Sequence, residues 1–285
     1  MLLSVADFRW VMGVTQLHNV VYIVCHGSSE IIRFDAVTHE RLTDIVVKDL
    51  SRPLDIAACQ QTAQLYVADT LPAYYTGDDD DDDAAAAAAA AAALCVWRVS
   101  SDGDYVKRLL PKSPSDIFSS HTLSVTSSRL LVTSRAIKQL RQFDTVGDEL
   151  RRVDLPDDMT PLHAVESPTG TFIVSHHNTQ LKHEQCQVSE VNTGGQVLRQ
   201  FSGSRLLPLG GTPHIAVDSQ GNIFLADEGN GCILLLDSQL TLRRVIIDEH
   251  QLNCKAPQRL CYIEQSGQLL VGFERDVAVF DVLRQ

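Results

Sequence analysis

The sequence lacks the short motifs of the common catalytic and cofactor chemistries. It contains no G-x-S-x-G, no G-x-x-x-x-G-K-[ST] and no H-E-x-x-H, which are the patterns of serine hydrolases, phosphate-binding loops and zinc peptidases. Its 7 cysteines include no C-x-x-C pair and are odd in number, which fits neither a disulfide framework nor a zinc site. We therefore expect reduced, mostly buried cysteines, no cofactor and no enzyme activity.

Long apolar runs and an excess of basic residues are also absent. No stretch reaches the length of about 18 apolar residues that a membrane span needs, and the alanine tract Ala84–Ala93 is too short. The first residues do not read as a signal peptide and there is no N-x-[ST] sequon, so we expect a cytoplasmic protein without a membrane partner. A net charge of −12 argues against general attraction to nucleic acid.

What the sequence does contain is a repeated phrase. Its clearest copy is Pro213–Asp227, followed by a glycine-rich turn and a second apolar run. The phrase recurs at Pro53–Asp69 and Pro161–Val174, and in weaker form from Pro114 and Pro257. A period of about 40 to 50 residues indicates a propeller or a solenoid. A linear solenoid would need capping repeats, and none is evident.

Six units account for the chain, 285 residues in all. The first unit is incomplete and includes Val20–Val24 and Glu30–Asp35, and the second carries a low-complexity Asp/Ala loop insertion at about 73–93. Each unit holds short runs of Val, Ile, Leu, Tyr and Phe between turn residues, which is typical of strands. We predict one all-β domain over 1–285, a six-bladed β-propeller with four-stranded antiparallel blades.

The two ends of the chain suggest how the ring closes. The last unit has strands near Arg259–Glu264, Gln268–Phe273 and Val277–Val282 and then stops without a fourth, while the first unit has its own inner strand at about Trp10–Thr15. Residues Leu2–Phe8 are left over. We predict that they form the outer strand of the last blade and close the ring.

The phrase P-x-x-[IA]-A-V-[DE]-S-x-G-x-[IF]-[FI]-[LV]-A-D resembles the NHL repeat. That family builds six-bladed propellers, which often serve as the substrate-recognition domain of tripartite-motif ubiquitin ligases, and some members bind RNA. No RING, B-box or coiled coil precedes the repeats in this sequence, so the resemblance implies recognition and not ligase activity.

Polar residues lie just before each inner strand and could gather at one mouth of the channel. They are Asp55, Asp116, His163, His214 and Arg259. Carboxylates and neutral imidazoles can hold Zn²⁺ or Ca²⁺, and propeller enzymes such as the amidating lyase and the paraoxonase and lactonase families place metals there. Arg259 would repel a cation. We favour capping of turns and strand ends instead, as Asp does locally.

Three further features receive structural interpretations. The cluster His176, His177, His183, Glu184 and Cys186 matches no metal spacing and is interpreted as a solvated loop. The tract Asp78–Asp83 with Ala84–Ala93 could form a short helix that recruits a basic partner or Ca²⁺, but a tolerated loop expansion is favoured. The basic residues of units two and three lack interleaved aromatics and are interpreted as solvated strands: Arg98, Lys107, Arg108, Lys112, Arg135, Lys138 and Arg141.

The function predicted from the sequence is a monomeric, non-catalytic protein-interaction scaffold that binds a protein or peptide with its loops. A metal-dependent hydrolase or lyase with a site at the channel mouth is the first alternative. An RNA-binding propeller is the second. Fold alone does not choose among them.

Overall fold

Short strands rich in β-branched residues and leucine alternate with tight turns along the chain and pair into six antiparallel sheets of four strands. A computed structural model describes residues 2–5, 9–70, 94–110, 121–180, 186–203, 208–252 and 255–282. The predicted all-β six-bladed propeller is confirmed. Among the described residues, no helix has the length and hydrophobicity of a transmembrane segment.

The strands, numbered in chain order, fall into blades from the inside outwards. Blade one is β2 (Val11–Leu17), β3 (Val20–Cys25), β4 (Glu30–Asp35) and β5 (Ile45–Val46). Blade two is β6 (Pro53–Cys59), β7 (Gln64–Thr70), β8 (Leu94–Ser100) and β9 (Val106–Leu110). Blade three is β10 (His121–Thr126), β11 (Arg129–Ser134), β12 (Gln139–Phe143) and β13 (Glu149–Asp154). Blade four is β14 (Met159–Glu166), β15 (Phe172–Asn178), β16 (Cys186–Val191) and β17 (Val197–Phe201). Blade five is β18 (His214–Val217), β19 (Ile223–Asp227), β20 (Cys232–Leu236) and β21 (Leu242–Ile247). Blade six is β22 (Arg259–Ile263), β23 (Gln268–Gly272), β24 (Asp276–Asp281) and β1 (Leu2–Ser4).

The N-terminal strand closes the ring as predicted. Strand β1 pairs antiparallel with β24, and Leu3 lies opposite Val277. The Leu3 side chain is 2% exposed and joins a core cluster with Val14 of blade one and Leu270 of blade six. The first and last parts of the chain therefore share one hydrophobic core. The predicted strand extended to Phe8, and residues 6–8 lie outside the described residues.

The recurring Asp at the end of the second strand anchors the connection that leads into its blade. Asp69 is fully buried, and its carboxylate accepts the backbone N–H of Ser51 at 3.0 Å and of Arg52 at 2.6 Å. Asp227 in blade five accepts the N–H of Gly210 at 3.2 Å and the side-chain amide of Asn230. The A-D ending of the repeat thus fixes where the inner strands of blades two and five begin.

The D-S-x-G-x part of the repeat forms the turn between the first and second strands. In blade five the N–H of Asp218 donates to the carbonyl of Asn222, and the Asp218 carboxylate accepts the N–H of Gln220 and of Asn222. Gly221 has a φ of 85°, a conformation that glycine adopts without steric cost. Aspartate and glycine at these positions therefore make a short hairpin and fix the strand register.

Six described cysteines are free, and five of them are buried. Burial raises the pKa of the Cys25 thiol to about 11 and of the Cys95 thiol to about 12. These thiols behave as small apolar groups within the blades, since a thiolate is disfavoured there.

Candidate functional site

Strand register places six residues at the same position of the six inner strands, and we call this set the inner-strand belt. Each belt residue pairs with the second strand of its blade at one equivalent position: Gly13 with Val24, Asp55 with Ala68, Thr122 with Thr133, His163 with Ser175, His214 with Ala226 and Arg259 with Gly272. Four of the residues predicted at the channel mouth belong to the belt.

Asp116, the fifth predicted residue, lies outside the described residues. The inner strand of blade three is His121–Thr126, and its belt position is Thr122. The Pro114 copy of the repeat is weak, and counting from its proline gave a position ahead of the strand.

β-Bulges explain why the belt residues stand at different distances from the prolines of the repeat. The pairing of the first two strands shifts register between Pro53 and Asp55 and between Pro161 and His163. Blade five has no such shift, and His214 directly follows its proline. An extra residue in a bulge re-aims the side chains around it. The bulges thus bring Asp55, His163 and His214 to the same level of the channel.

Belt side chains hydrogen-bond the backbone of the following blade. The Asp55 carboxylate accepts the N–H of Leu123 in blade three at 2.8 Å. In turn the Thr122 hydroxyl donates to the carbonyl of Leu162 in blade four at 2.9 Å. Because inner strands of neighbouring blades do not pair with each other, these bonds satisfy backbone groups that would otherwise be left buried and unpaired.

The two histidines continue the same pattern. Nδ1 of His163 accepts the N–H of Ile215 in blade five at 3.3 Å. Nδ1 of His214 accepts the N–H of Leu260 in blade six at 3.3 Å. The rings stack, with 3.7 Å between centroids and 21° between planes. Each imidazole thus joins its own blade to the next.

Blades six and one complete the circle in different ways. Arg259 donates from Nε to the carbonyl of Met12. Gly13 has no side chain, and a Cβ there would come within 2.6 Å of the Ile56 nitrogen and 2.9 Å of Asp55 Oδ1. The N–H of Ile56 donates to Asp55 Oδ1 at 2.9 Å instead. The belt therefore links blades two to six in turn and blade six to blade one, with glycine where the inner strands of blades one and two are in close contact.

These hydrogen bonds fix the tautomer of both histidines. An imidazole nitrogen that accepts an N–H carries no proton, so in the neutral ring the other nitrogen carries it. Nε2 of His163 lies 3.4 Å from the carbonyl of Leu123, where it donates. Nε2 of His214 is buried and has no hydrogen-bond partner among the described residues. Both rings are therefore Nε2–H tautomers.

Burial shifts the pKa values of the three residues towards their neutral forms. Burial lowers the pKa of His163 to about 3. It also holds the pKa of His214 well below its usual range, and the neighbouring His163 and Arg259 lower the pKa of His214 further. It also raises the pKa of Asp55 to about 6, against the opposing effects of Arg259 and of the N–H of Leu123 and Ile56. Neutral imidazoles agree with the tautomers above.

The belt brings Asp55, His163 and His214 close enough to be tested as metal ligands. Their potential ligand atoms lie within 4.8 Å of one another, and all three residues are buried. A metal needs an imidazole nitrogen with a free lone pair. Here Nδ1 of each ring uses its lone pair for a backbone N–H, and Nε2 carries the proton. The residues therefore do not fit a metal ion, and they support the interpretation as strand-end hydrogen bonds.

The stacked pair of His163 and His214 separates two chambers of the channel, which carry opposite charge. The outer chamber, about 180 Å³, lies where the inner strands begin, and its described lining includes Arg135 and Arg259 but no carboxylate. The inner chamber, about 260 Å³, is lined by Asp55 and Glu166, with neither Lys nor Arg among the described lining residues. Both histidines line both chambers.

The second histidine cluster of the sequence is not a solvated loop where the structure describes it. His176 and His177 lie in β15, and Cys186 begins β16. His176 is 1% exposed, its Nε2 lies 2.9 Å from Ser189 Oγ, and burial lowers its pKa to about 4. The strand continues through both histidines, which the loop prediction missed. His183 and Glu184 lie outside the described residues.

Several basic residues of blades two and three are bound within the protein. Arg98 donates to the carbonyl of Thr145 at 3.0 Å, and Arg141 is buried and paired with Glu149. Lys112 and the tract 78–93 lie outside the described residues. Arg135 is exposed and lines the outer chamber, a role that its place in a basic stretch of sequence did not indicate.

The fold and the belt define the class of the protein: a six-bladed β-propeller with a braced, chambered channel. No protein-family model and no curated protein sequence matches the chain, so membership of the NHL-repeat family stays a prediction.

Solved structures with this fold include enzymes and parts of protein complexes. A chain of Kuenenia stuttgartiensis hydrazine synthase has 13% identity and a TM-score of 0.63 over 96% of each chain. Virginiamycin B lyase from Staphylococcus aureus has 12% identity and a TM-score of 0.62 over 97% of each. A chain of the nidogen/laminin complex has 13% identity and a TM-score of 0.60, with 86% of this chain and 82% of that one covered. These similarities support the fold and leave the function open.

Proposed function

We propose that the chain is a non-catalytic recognition propeller that binds a protein or peptide partner with the face on which its inner strands begin. We call this the mouth face. It carries the connections into each inner strand and those between second and third strands. The observation that carries the proposal is the unequal length of the connections on the two faces.

The longest connections all belong to the mouth face. Segments 71–93, 111–120, 202–213 and 248–258 lie between strands that end or begin there, and each is longer than any connection on the opposite face. The longest connection on the opposite face is 36–44, in blade one, and the others are tight turns. Loops held on a rigid scaffold are where binding residues concentrate. The Asp/Ala insertion falls in the sequence between β7 and β8.

Exposed apolar side chains on the mouth face offer contact area. Trp10 is 51% exposed in the connection into blade one, and Ile137 is 46% exposed between β11 and β12. Tryptophan is enriched among residues that dominate protein interfaces. The resemblance of the repeat to NHL propellers, which serve as recognition domains, agrees with this proposal.

The channel chemistry supports a role without catalysis. Asp55, His163 and His214 are the titratable cluster that an enzyme would use, and their hydrogen bonds go to the backbone of neighbouring blades. A general base needs a free lone pair within reach of a substrate proton. Both Nδ1 atoms are occupied, and each Asp55 oxygen accepts a backbone N–H, which supports a bracing role for the cluster.

Affinity purification with paired surface variants tests the proposal. The tagged wild-type chain would be compared with Trp10→Ser/Ile137→Ser on the mouth face and with Val37→Ser/Val146→Ser on the opposite face. The control pair is at least as exposed, at 73% and 56%. We expect a partner, identified by mass spectrometry and rebound as purified protein, to be lost only with the mouth-face pair.

Two results would contradict the proposal. A partner that is lost equally with the opposite-face pair would place binding elsewhere. A purified ligand that is RNA, with affinity falling steeply as salt rises, would replace protein recognition with nucleic-acid recognition.

A further inference from the structure

The histidine pair has one donor that the bracing role of the belt does not use. Nε2–H of His214 is a donor on a side chain that is 7% exposed, and it has no partner among the described residues. A buried donor left unpaired costs about 1–3 kcal/mol. His214 lines both chambers, and a ligand that accepts from this N–H would remove the cost.

The charge of the chamber indicates which kind of acceptor fits. Arg135 and Arg259 line it, and no carboxylate does among its described lining residues. Arg259 donates from Nε and Nη1 to the carbonyls of Met12 and Gln258, which leaves Nη2 without a hydrogen-bond partner among the described residues. Guanidinium groups recognise carboxylates through paired N–H donors.

The nearby carboxylates are already engaged and do not fill the chamber. Glu228 accepts the N–H and the hydroxyl of Thr212, both at 2.8 Å, and the side-chain amide of Gln258 at 2.9 Å. Asp55 lines the inner chamber, on the other side of the histidine pair, and both of its oxygens accept backbone N–H groups. The outer chamber keeps two cations, and the unpaired donor belongs to a histidine that lines it.

We propose that the outer chamber binds a carboxylate group, which accepts from Nε2–H of His214 and is held by the guanidinium groups of Arg259 and Arg135. A cavity of about 180 Å³ has room for a carboxylate on a short carbon chain. The inference goes beyond the proposed function, because the carboxylate can belong to an acidic side chain of a partner or to a free small molecule.

Acetate is the probe that tests the site. The whole chain at pH 7 and constant ionic strength would be titrated with sodium acetate and, separately, sodium chloride, and the His214 signals followed by long-range ¹H–¹⁵N NMR. We expect a saturable shift of Nε2 with acetate and none with chloride. Equal shifts with both salts would overturn the proposal.

Variants assign the binding to the chamber. Arg135→Gln removes an exposed cation that makes no hydrogen bond within the described structure, and we expect acetate to bind about tenfold more weakly. Arg52→Gln removes an exposed cation from the same face but outside the chamber and should change nothing. His214→Phe should abolish the effect of acetate on the Arg259 side-chain signals. Unchanged acetate affinity in Arg135→Gln would refute the assignment.

A second experiment identifies the source of the carboxylate. If a partner supplies it, Arg135→Gln and added acetate both reduce partner capture while Arg52→Gln does not; if a small molecule supplies it, capture is unaffected. Both results retain the site. Acetate binding in a chain that captures no partner would refute the proposed function and leave the carboxylate site standing.

Discussion

His163 and His214 stack face to face in the channel, with 3.7 Å between ring centroids, and Nδ1 of each ring accepts a backbone N–H from the next blade. Two imidazoles this close and this buried are stable only when neutral, because neither ring could be solvated as a cation. The pair is therefore a structural element of the ring, and protonation of its imidazoles at low pH should destabilise the protein.

Acidification should destabilise the protein through His163. Unfolding raises its pKa from about 3 to the ordinary value near 6.5, so the unfolded state binds more protons between these limits and stability falls as pH falls. One proton is worth about 1.4 kcal/mol per pH unit. His163→Asn keeps an acceptor for Ile215 N–H but does not titrate, and its denaturant-derived stability should fall less steeply between pH 6.5 and 4.

The control for this pH prediction is His26→Asn, because His26 is exposed. It should retain the wild-type slope. Asp55 has the opposite effect on stability: because its folded pKa is raised to about 6, it makes the protein more stable as the pH falls from about 6 to about 4. Both variants and the wild type retain Asp55, so its contribution cancels when their pH slopes are compared. Identical slopes for His163→Asn and the wild type would contradict the buried neutral imidazole.

Ring closure by β1 predicts a large effect of one N-terminal side chain. Leu3→Ala removes a side chain that is 2% exposed from the shared core of blades six and one and should cost about 2–4 kcal/mol. Leu2→Ala alters a neighbour that is 50% exposed and should cost less than about 1 kcal/mol. Urea unfolding measures both. Equal effects would mean that β1 does not close the ring.

Gly13 should tolerate no side chain. The Cβ of Gly13→Ala would meet backbone and carboxylate atoms of blade two at 2.6 and 2.9 Å, so the inner strands must move apart, at a cost of about 1–3 kcal/mol. Gly194→Ala is the matched control, because its nearest atom is a side-chain oxygen of Asn192 at 3.4 Å. A thermal unfolding midpoint of Gly13→Ala equal to that of the control would show that blades one and two are not in close contact there.

The sequence predicted the fold because each blade repeats the same local rules. The A-D ending, the turn glycine and the spacing of apolar runs identified blade five within one or two residues, and the unpaired outer position of the last blade implied the role of Leu2–Ser4. These features depend on neighbours close in the chain or on the symmetry of a ring. Both are visible in a sequence.

The candidate site was only partly predictable, because it depends on contacts between blades. Asp55 and His163 were predicted near the channel, but the bulges that align them with His214 depend on pairing with the second strand and leave no motif. Thr122 was missed because the Pro114 copy of the repeat is weak, although the first two strands of its blade pair without a bulge. The opposite charge of the two chambers arises from residues far apart in the chain, such as Arg135 and Arg259, and no spacing rule relates them.

The tautomers of His163 and His214 test the central claim most directly. Long-range ¹H–¹⁵N NMR distinguishes the nitrogen that carries the proton, and the spectrum would be recorded with and without an equimolar amount of Zn²⁺. The belt predicts unprotonated Nδ1 and protonated Nε2 in both rings, unchanged by the metal. Unprotonated Nε2 in both rings, with signals that shift on stoichiometric zinc binding, would contradict the account and make the channel a metal site.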